Sequence, residues 1–340
     1  MERGSSLPAR ASGSAGTDPA ALRVDAGSRS PVRVFAPASV SNLGCGFDVF
    51  GLALEEPGDE VAVRGVAGSG IVSLTVAGGG GRVPGDPASN AATIAAQSVM
   101  HRLGSDAGVA VELRKGIPLA SGLGGSAASA VAGAVAADAL LGGGLDRTAL
   151  LECALLGERE GSGANHADNV APSLAGGFVL VLPGRTPQVV ELPTPAGLTL
   201  AVAHPAIEVE TLRARTILGD TIPLAAGVRQ WGHTAGLVAG LFREDWELIA
   251  HCLCDAVAEP LRAKLVPGFA KVREAALGAG AAGAGLSGSG PSVFALCRGR
   301  TVAERAAAAM AAAFCDEAGL GSDTVVSPVN RVGARVLETG

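Results

Sequence analysis

The chain has 340 residues, 48% hydrophobic and 17% charged. That is apolar material enough for two domains, or one large domain with a split core, and it excludes general disorder. Net charge is −6, falling to −7 once residues 1–30, with four Arg against three acids, are set aside. This is a poor footprint for duplex nucleic acid or an anionic membrane, and 3% aromatics with no Tyr argue against base-stacking platforms.

In chain order, residues 1–30 lack an apolar secretory core and are rich in Ser, Ala, Gly and Arg. Organelle transit peptides share that bias, but Glu2, Asp18 and Asp25 count against one. The stretch reads as a disordered extension of a cytoplasmic rather than plastid protein. Strands are predicted at Val32–Phe35, ended by Pro37, then at Glu60–Arg64 and Ile71–Val76, with a turn at Gly78–Gly81. A helix follows over Asn90–Leu103, a strand over Val109–Arg114, helices over Ser126–Leu141 and Thr148–Glu160, and a strand over Gly177–Leu182. Pro183–Pro195, with four prolines, reads as a domain boundary or a long hairpin. Beyond it come a strand at Leu198–Ala203, helices at Gly227–Leu241, Trp246–Ala256 and Gly268–Leu277, a strand at Pro291–Cys297, a helix at Val302–Ala318 and a last strand at Arg331–Leu337. The even alternation of a doubly wound sheet is missing. The expectation is α+β with two lobes, an N-terminal domain over 31–190 and a C-terminal domain over 191–340.

No segment has the ~18 uncharged apolar residues of a membrane helix; Ser126–Leu145 comes nearest but contains Asp138. The six cysteines form no C-x-x-C and no zinc spacing. They read as buried free thiols in a reducing compartment, with Cys252 and Cys254 diverging on one helix.

The most informative segment is Pro118-Leu-Ala-Ser-Gly-Leu-Gly-Gly-Ser-Ala-Ala128. A strand leads in and a long Ala-rich helix leads out. Glycines permit close ligand approach, and a helix start presents unpaired N–H groups and a positive dipole end. Together they make a phosphate cradle, in which Ser126 can cap the helix or reach a metal ion on the phosphates. The spacing is neither a Walker A loop nor a Rossmann fingerprint, and the loop alone could be a tight turn with a Ser cap.

Two further glycine-rich segments alter that balance. Ala36-Pro-Ala-Ser-Val-Ser-Asn-Leu-Gly-Cys-Gly-Phe-Asp48 follows the first strand, and Ala284-Gly-Leu-Ser-Gly-Ser-Gly-Pro-Ser292 precedes a late one. The trio, in this order over about residues 32–337, resembles the three signatures of the GHMP kinases. Within that superfamily the likeness is nearest to the homoserine kinases. Ser41–Leu54, His166-Ala-Asp-Asn-Val-Ala-Pro-Ser-Leu-Ala-Gly-Gly-Phe178 and Glu259-Pro-Leu-Arg-Ala-Lys-Leu-Val-Pro267 carry it. The resemblance implies a two-lobed GHMP kinase fold, with an N-terminal lobe like ribosomal protein S5 domain 2 and a ferredoxin-like C-terminal lobe. It also implies ATP-dependent phosphorylation of the L-homoserine hydroxyl to O-phospho-L-homoserine, in threonine biosynthesis. ATP and Mg²⁺ would be the cofactors, with no nucleic-acid or membrane partner, and a homodimer is compatible with the family.

Site residues follow from the same resemblance. Asn42, Asp48, His166, Asn169, Thr211, Arg215 and Arg262 would bind the amino acid. Asp48 suits the ammonium and the two arginines the carboxylate, through forks that match it. Asp168 and Asn169 are the catalytic candidates, Asp168 as a base. Asn90 would lie near the adenine, with a plain helix cap as the alternative. Residues Pro118, Leu119, Ala120, Ser121, Gly122, Leu123, Gly124, Gly125, Ser126, Ala127 and Ala128 would hold the nucleotide. Ser126 and Glu158 would ligate the metal, the register to His166 favouring Glu158 over Glu160. His166 and Asp168 have no second His nearby, which argues against zinc.

The sequence departs from the family at Gly125, where the phosphate loop usually carries a second hydroxyl, a loss of about 1 kcal/mol for one hydrogen bond. It departs again at Ser39-Val40-Ser41. The rival functions are another GHMP small-molecule kinase of the mevalonate-pathway type, and a non-catalytic nucleotide sensor on the same fold.

Overall fold

The computed structural model describes residues 30–163, 165–184 and 186–339; the expected disordered extension falls almost wholly outside them. The first sheet is built from β1 (Val32–Asn42), β2 (Gly46–Val66), β3 (Gly70–Ala77), β4 (Gly108–Arg114), β5 (Phe178–Leu182), β6 (Gln188–Leu192) and β11 (Arg335–Thr339). Its order is β11-β1-β2-β4-β3, with β5 and β6 added through a second stretch of β2. Only the β3–β4 pair is parallel.

Four helices cover this sheet: α1 (Ala91–Arg102), α2 (Gly125–Leu140), α3 (Arg147–Ser162) and α4 (Ala167–Ala175). α2 is the central one. Its Ala- and Gly-rich sequence is almost wholly buried, because small side chains let neighbouring backbones come close. A Cβ on Gly133 would lie 2.2 Å from the Ala92 carbonyl oxygen, so α1 and α2 touch at a point where only glycine fits.

The second lobe holds β7 (Leu198–Pro205), α5 (Thr211–Thr216), α6 (Leu224–Arg243), α7 (Trp246–Cys252), α8 (Glu259–Arg262), α9 (Phe269–Gly278), β8 (Gly283–Leu286), β9 (Val293–Arg298), α10 (Arg300–Ala318) and β10 (Ser322–Pro328). Its antiparallel sheet runs β10-β7-β9-β8, the strand order of a ferredoxin-like βαββαβ unit, with α5 to α8 inserted after β7. The strands have period 2. Ala201, Ala203, Val293 and Ala295 join Val272, Met310 and Phe314 of α9 and α10 in one core. Leu200, Val202, Phe294 and Leu296 face the other way, into the core shared with the first lobe.

Several local expectations need correction. β1 does not end at Pro37; the pairing with β2 shifts register between Pro37 and Ser39, and a bulge is where a strand tolerates proline. Pro183–Pro195 contains β6, which pairs antiparallel with β5, so it is the hairpin and not a bare linker. α7 stops at Cys252, leaving Cys254 beyond the helix. All six cysteines are free, but Cys254 is half-buried and Cys315 exposed. The last strand starts at Arg335 and joins the first sheet by pairing with β1. Sequence patterning did not show α4, α5, β8 or β10. β8 is Gly-Ala-Gly-Leu and has no period to read. Among the described residues no helix is long and apolar enough to cross a membrane.

Candidate active site

The three glycine-rich segments meet at one place and are hydrogen-bonded to one another. The Ser39 amide donates to the Leu123 carbonyl (3.1 Å), Gly288 N–H to Ser41 O (3.2 Å) and Ser292 N–H to Ser121 O (3.2 Å). The Ser287 hydroxyl donates to the Gly122 carbonyl (2.7 Å). Gly122 and Gly124 both have positive φ, 76° and 67°. A Cβ on Gly122 would lie 2.3 Å from the Ser287 carbonyl oxygen, and one on Gly124 2.3 Å from the Ser39 hydroxyl. Glycine is needed at both positions for conformation and for space. Gly124 caps α2 without a side-chain bond, so Ser126 is not the cap. It sits in the first turn with its hydroxyl on the cleft.

A cleft of about 200 Å³ opens over this loop. It brings together Asn42, Asp48, Glu158, His166, Asp168, Asn169, Thr211, Arg215 and Arg262 with the backbone of Pro118–Gly122 and Gly124–Ser126. Every substrate, catalytic and metal residue expected from the sequence therefore lies on one cavity. Leu123, Ala127 and Ala128 do not line it; they are buried in the core. Asn90 lies in an adjoining cleft with Pro84, Ser89, Leu113, Leu119 and Ser126. It also caps α1, its Oδ1 accepting from Ala92 N–H (3.0 Å) while Nδ2 donates to Pro84 O (2.9 Å).

The polar end of the cleft is tightly bonded. Arg215 forks onto Asp48, Nη1 to Oδ2 at 2.5 Å and Nη2 to Oδ1 at 3.1 Å. Arg262 is buried, with Nε donating to Ala214 O and Nη1 to Gly288 O, both at 3.0 Å. Asn42, at φ 69°, accepts from Asp48 N–H (3.1 Å) and donates to Gly288 O (3.0 Å). It thus performs the turn chemistry that aims Asp48. Asn169 accepts from the Ser39 hydroxyl (2.9 Å) and donates to Ser41 Oγ (3.2 Å), which ties α4 to the first loop.

The pKa values of three titratable groups of the cleft are displaced, and burial lowers that of Arg262. Burial, and next the charge of Asp48, push the Asp168 carboxyl up to about 6. For His166, burial lowers the pKa, but the hydrogen bond and charge of Glu158, with Asp168 behind them, leave it raised. His166 Nδ1 lies 2.8 Å from Glu158 Oε1.

Sequence reasoning missed two features. Lys115, buried, donates to Asp59, to the Gly125 carbonyl (2.8 Å) and to Ser129 Oγ (3.0 Å). With three acceptors for its three protons, it braces the first turn of α2 against β2. A lone lysine closing the apolar run of β4 was the available signal. The other is Phe47, whose ring lies beside both arginines; nothing in its sequence context marks that contact.

A two-lobed α+β fold with a helix-capped glycine loop facing a charged small-molecule pocket defines a small-molecule kinase of the GHMP class. The family models described as "GHMP kinases N terminal domain" and "GHMP kinases C terminal" match residues 90–177 and 237–316. The homoserine kinase of Chloroherpeton thalassium is 44% identical over 313 residues, 89% of this chain and 98% of its own length. That of Xylella fastidiosa is 41% identical, covering 90% and 94%. The crystal structure of homoserine kinase from Cytophaga hutchinsonii superposes with a TM-score of 0.87 at 46% identity, over 90% of this chain and 97% of that one. The chain belongs to the homoserine kinase family. A mevalonate kinase of L. major, at 18% identity and a TM-score of 0.67, shares the fold alone.

Proposed function

We propose that this chain transfers the γ-phosphoryl group of ATP to the side-chain hydroxyl of L-homoserine, giving O-phospho-L-homoserine and ADP for threonine biosynthesis. The observation that carries the reading is the single cleft in which a backbone phosphate cradle faces two arginines, an aspartate and an α4 Asp-Asn pair. The triphosphate takes the N–H groups of Gly122–Ser126 and the positive end of α2, and the adenine takes the adjoining cleft beside Asn90. The amino acid's carboxylate takes Arg215 and Arg262, with Thr211 one helical turn from Arg215. Its ammonium takes Asp48, beside His166, so the hydroxyl points toward Asp168 and Asn169.

The hydroxyl oxygen attacks the γ-phosphorus, the bond to the ADP oxygen breaks, and the hydroxyl proton passes to Asp168. Phosphoryl transfer through a loose transition state depends mostly on alignment and charge neutralisation, so a base of modest strength suffices. A carboxylate with a pKa of about 6 is largely ionised at neutral pH and still accepts a proton. The Ser126 hydroxyl and the Glu158 carboxylate are hard oxygen donors on the same cleft and would hold a Mg²⁺ ion, which prefers such donors. When bound, it neutralises charge on the phosphates. The free thiols suit a reducing compartment such as the cytoplasm.

A coupled ADP-release assay tests this. L-Homoserine should be by far the best acceptor in a panel of alcohols. Ser126→Ala should mainly lower kcat, and Arg262→Ala should mainly raise the KM for homoserine. Preference for mevalonate, or ATP binding without turnover on any acceptor, would end the proposal.

A further inference from the structure

The Phe47 ring lies beside both arginines of the polar end. Its centroid is 5.2 Å from the Arg215 guanidinium carbon and 5.0 Å from that of Arg262, both within the ~6 Å reach of a cation–π contact. The local backbone sets its direction. At Gly46 a Cβ would lie 2.0 Å from the Phe50 ring, and Asp48 has φ 60°. Phe50 fills the core with no exposed surface, and Phe47 is left half-buried beside the cations. The dipeptide Phe47-Asp48 therefore offers Arg215 a π surface and a carboxylate together.

The two guanidiniums are like charges held close. Burial lowers the pKa of Arg262; the charge of Asp48 opposes this and that of Arg215 adds to it. Arg262 is anchored by two backbone carbonyls. Arg215 donates both of its hydrogen bonds among the described residues to Asp48, and Asp48 is the group an incoming ammonium would claim. The aromatic ring is a contact of Arg215 that an incoming ammonium at Asp48 would not claim.

The geometry points to Phe47 as a positioning residue: a π spacer that keeps Arg215 and Arg262 at the separation where both meet one carboxylate, and so enforces an acceptor that bears one. This rests on the proposed reading that the two arginines hold the amino acid's carboxylate. Ring stacking is the attraction that survives when Arg215 exchanges Asp48 for substrate.

The test measures steady-state ADP release by the wild-type chain and by Phe47→Leu, Phe47→Met and Phe47→Tyr. L-Homoserine and L-homoserinamide, in which an uncharged carboxamide replaces the carboxylate, serve as acceptors, and thermal unfolding is followed in parallel. Phe47→Leu should raise the KM for homoserine about tenfold, because the two guanidiniums must then be brought to one carboxylate on binding instead of being held ready for it. Its kcat and its KM for ATP should stay within about twofold, the pattern of a binding contact rather than a transition-state one. The KM for the amide should move by less than about twofold, because no carboxylate is there to be held. Phe47→Tyr, which keeps the π face, should match wild type, and Phe47→Met repeats the comparison should the leucine variant not fold. An equal rise for both acceptors, a Tyr variant as impaired as Leu, or an unchanged KM would overturn the inference. A wild-type chain inert toward homoserine would instead overturn the acceptor reading, and this inference with it.

Discussion

The two ends of the cleft are made of different material. The phosphate end is main chain: N–H groups, two glycines at positive φ, and carbonyls stitched between three loops. The amino-acid end is side chain: an Arg–Asp pair, a buried arginine and an Asp-Asn pair, drawn from β2, α4, α5 and α8, with an aromatic ring against the two arginines. The first end is rigid because backbone can occupy that space only one way. The second is adjustable because its charges can change partners. Substitutions should therefore act in opposite fashion, by geometry at one end and by charge at the other.

The largest effect is expected where a side chain is forced into the main-chain end. Gly122→Ala must place a Cβ 2.3 Å from the Ser287 carbonyl oxygen at φ 76°. A displacement of that size near the reacting atoms should lower kcat/KM about a hundredfold. A near-normal kcat/KM in this variant would break the comparison.

Asp168→Asn probes the charged end through pH. The native pKa of about 6 lies above the ~3.9 of an unfolded aspartate, so between these values the native state holds a proton that the unfolded state has lost. This group's contribution to stability therefore falls as pH rises from about 4 to 6 and is lowest above that window, whereas activity requiring the carboxylate rises through it. Urea unfolding at both ends of the window should show the asparagine variant relatively more stable at neutral pH, and the acid limb of kcat near 6 should disappear with it. If turnover and pH profile both stay as in wild type, the base role is lost.

The smallest effect is expected at Gly125→Ser, which restores the hydroxyl usual in the family. The new Cβ would lie 3.3 Å from both Lys115 Nζ and Ile117 Cγ2, tight but not forbidden. The KM for ATP should change less than about fivefold, the worth of one hydrogen bond. A larger change would show that the first turn of α2 has no slack because Lys115 braces it.

How much of this was legible in the sequence follows the same division. The phosphate loop could be read from Gly122, Gly124 and the Ala-rich run after them, because main-chain sites leave their mark in glycine spacing. No such rule gathers Asp48, Asp168, Arg215 and Arg262, which lie far apart in the chain; only the family resemblance named them together. Phe47 and Lys115 escaped both approaches. A half-buried phenylalanine and a strand-end lysine are ordinary residues until neighbours distant in sequence arrive. β8 and α5 were invisible for a simpler reason: three small residues with a leucine, and six mixed residues, carry no period.

β11 lies against β1, the strand that runs on into the first glycine loop, although the two sit at opposite ends of the chain. During synthesis β1 can find β2 almost at once, but its other edge stays open until residues 335–339 have been made. The edge of the sheet that supports the nucleotide loop thus depends on a strand made about 300 residues later, and a proline placed at Val336 to break that pairing should loosen a cleft that β11 does not line.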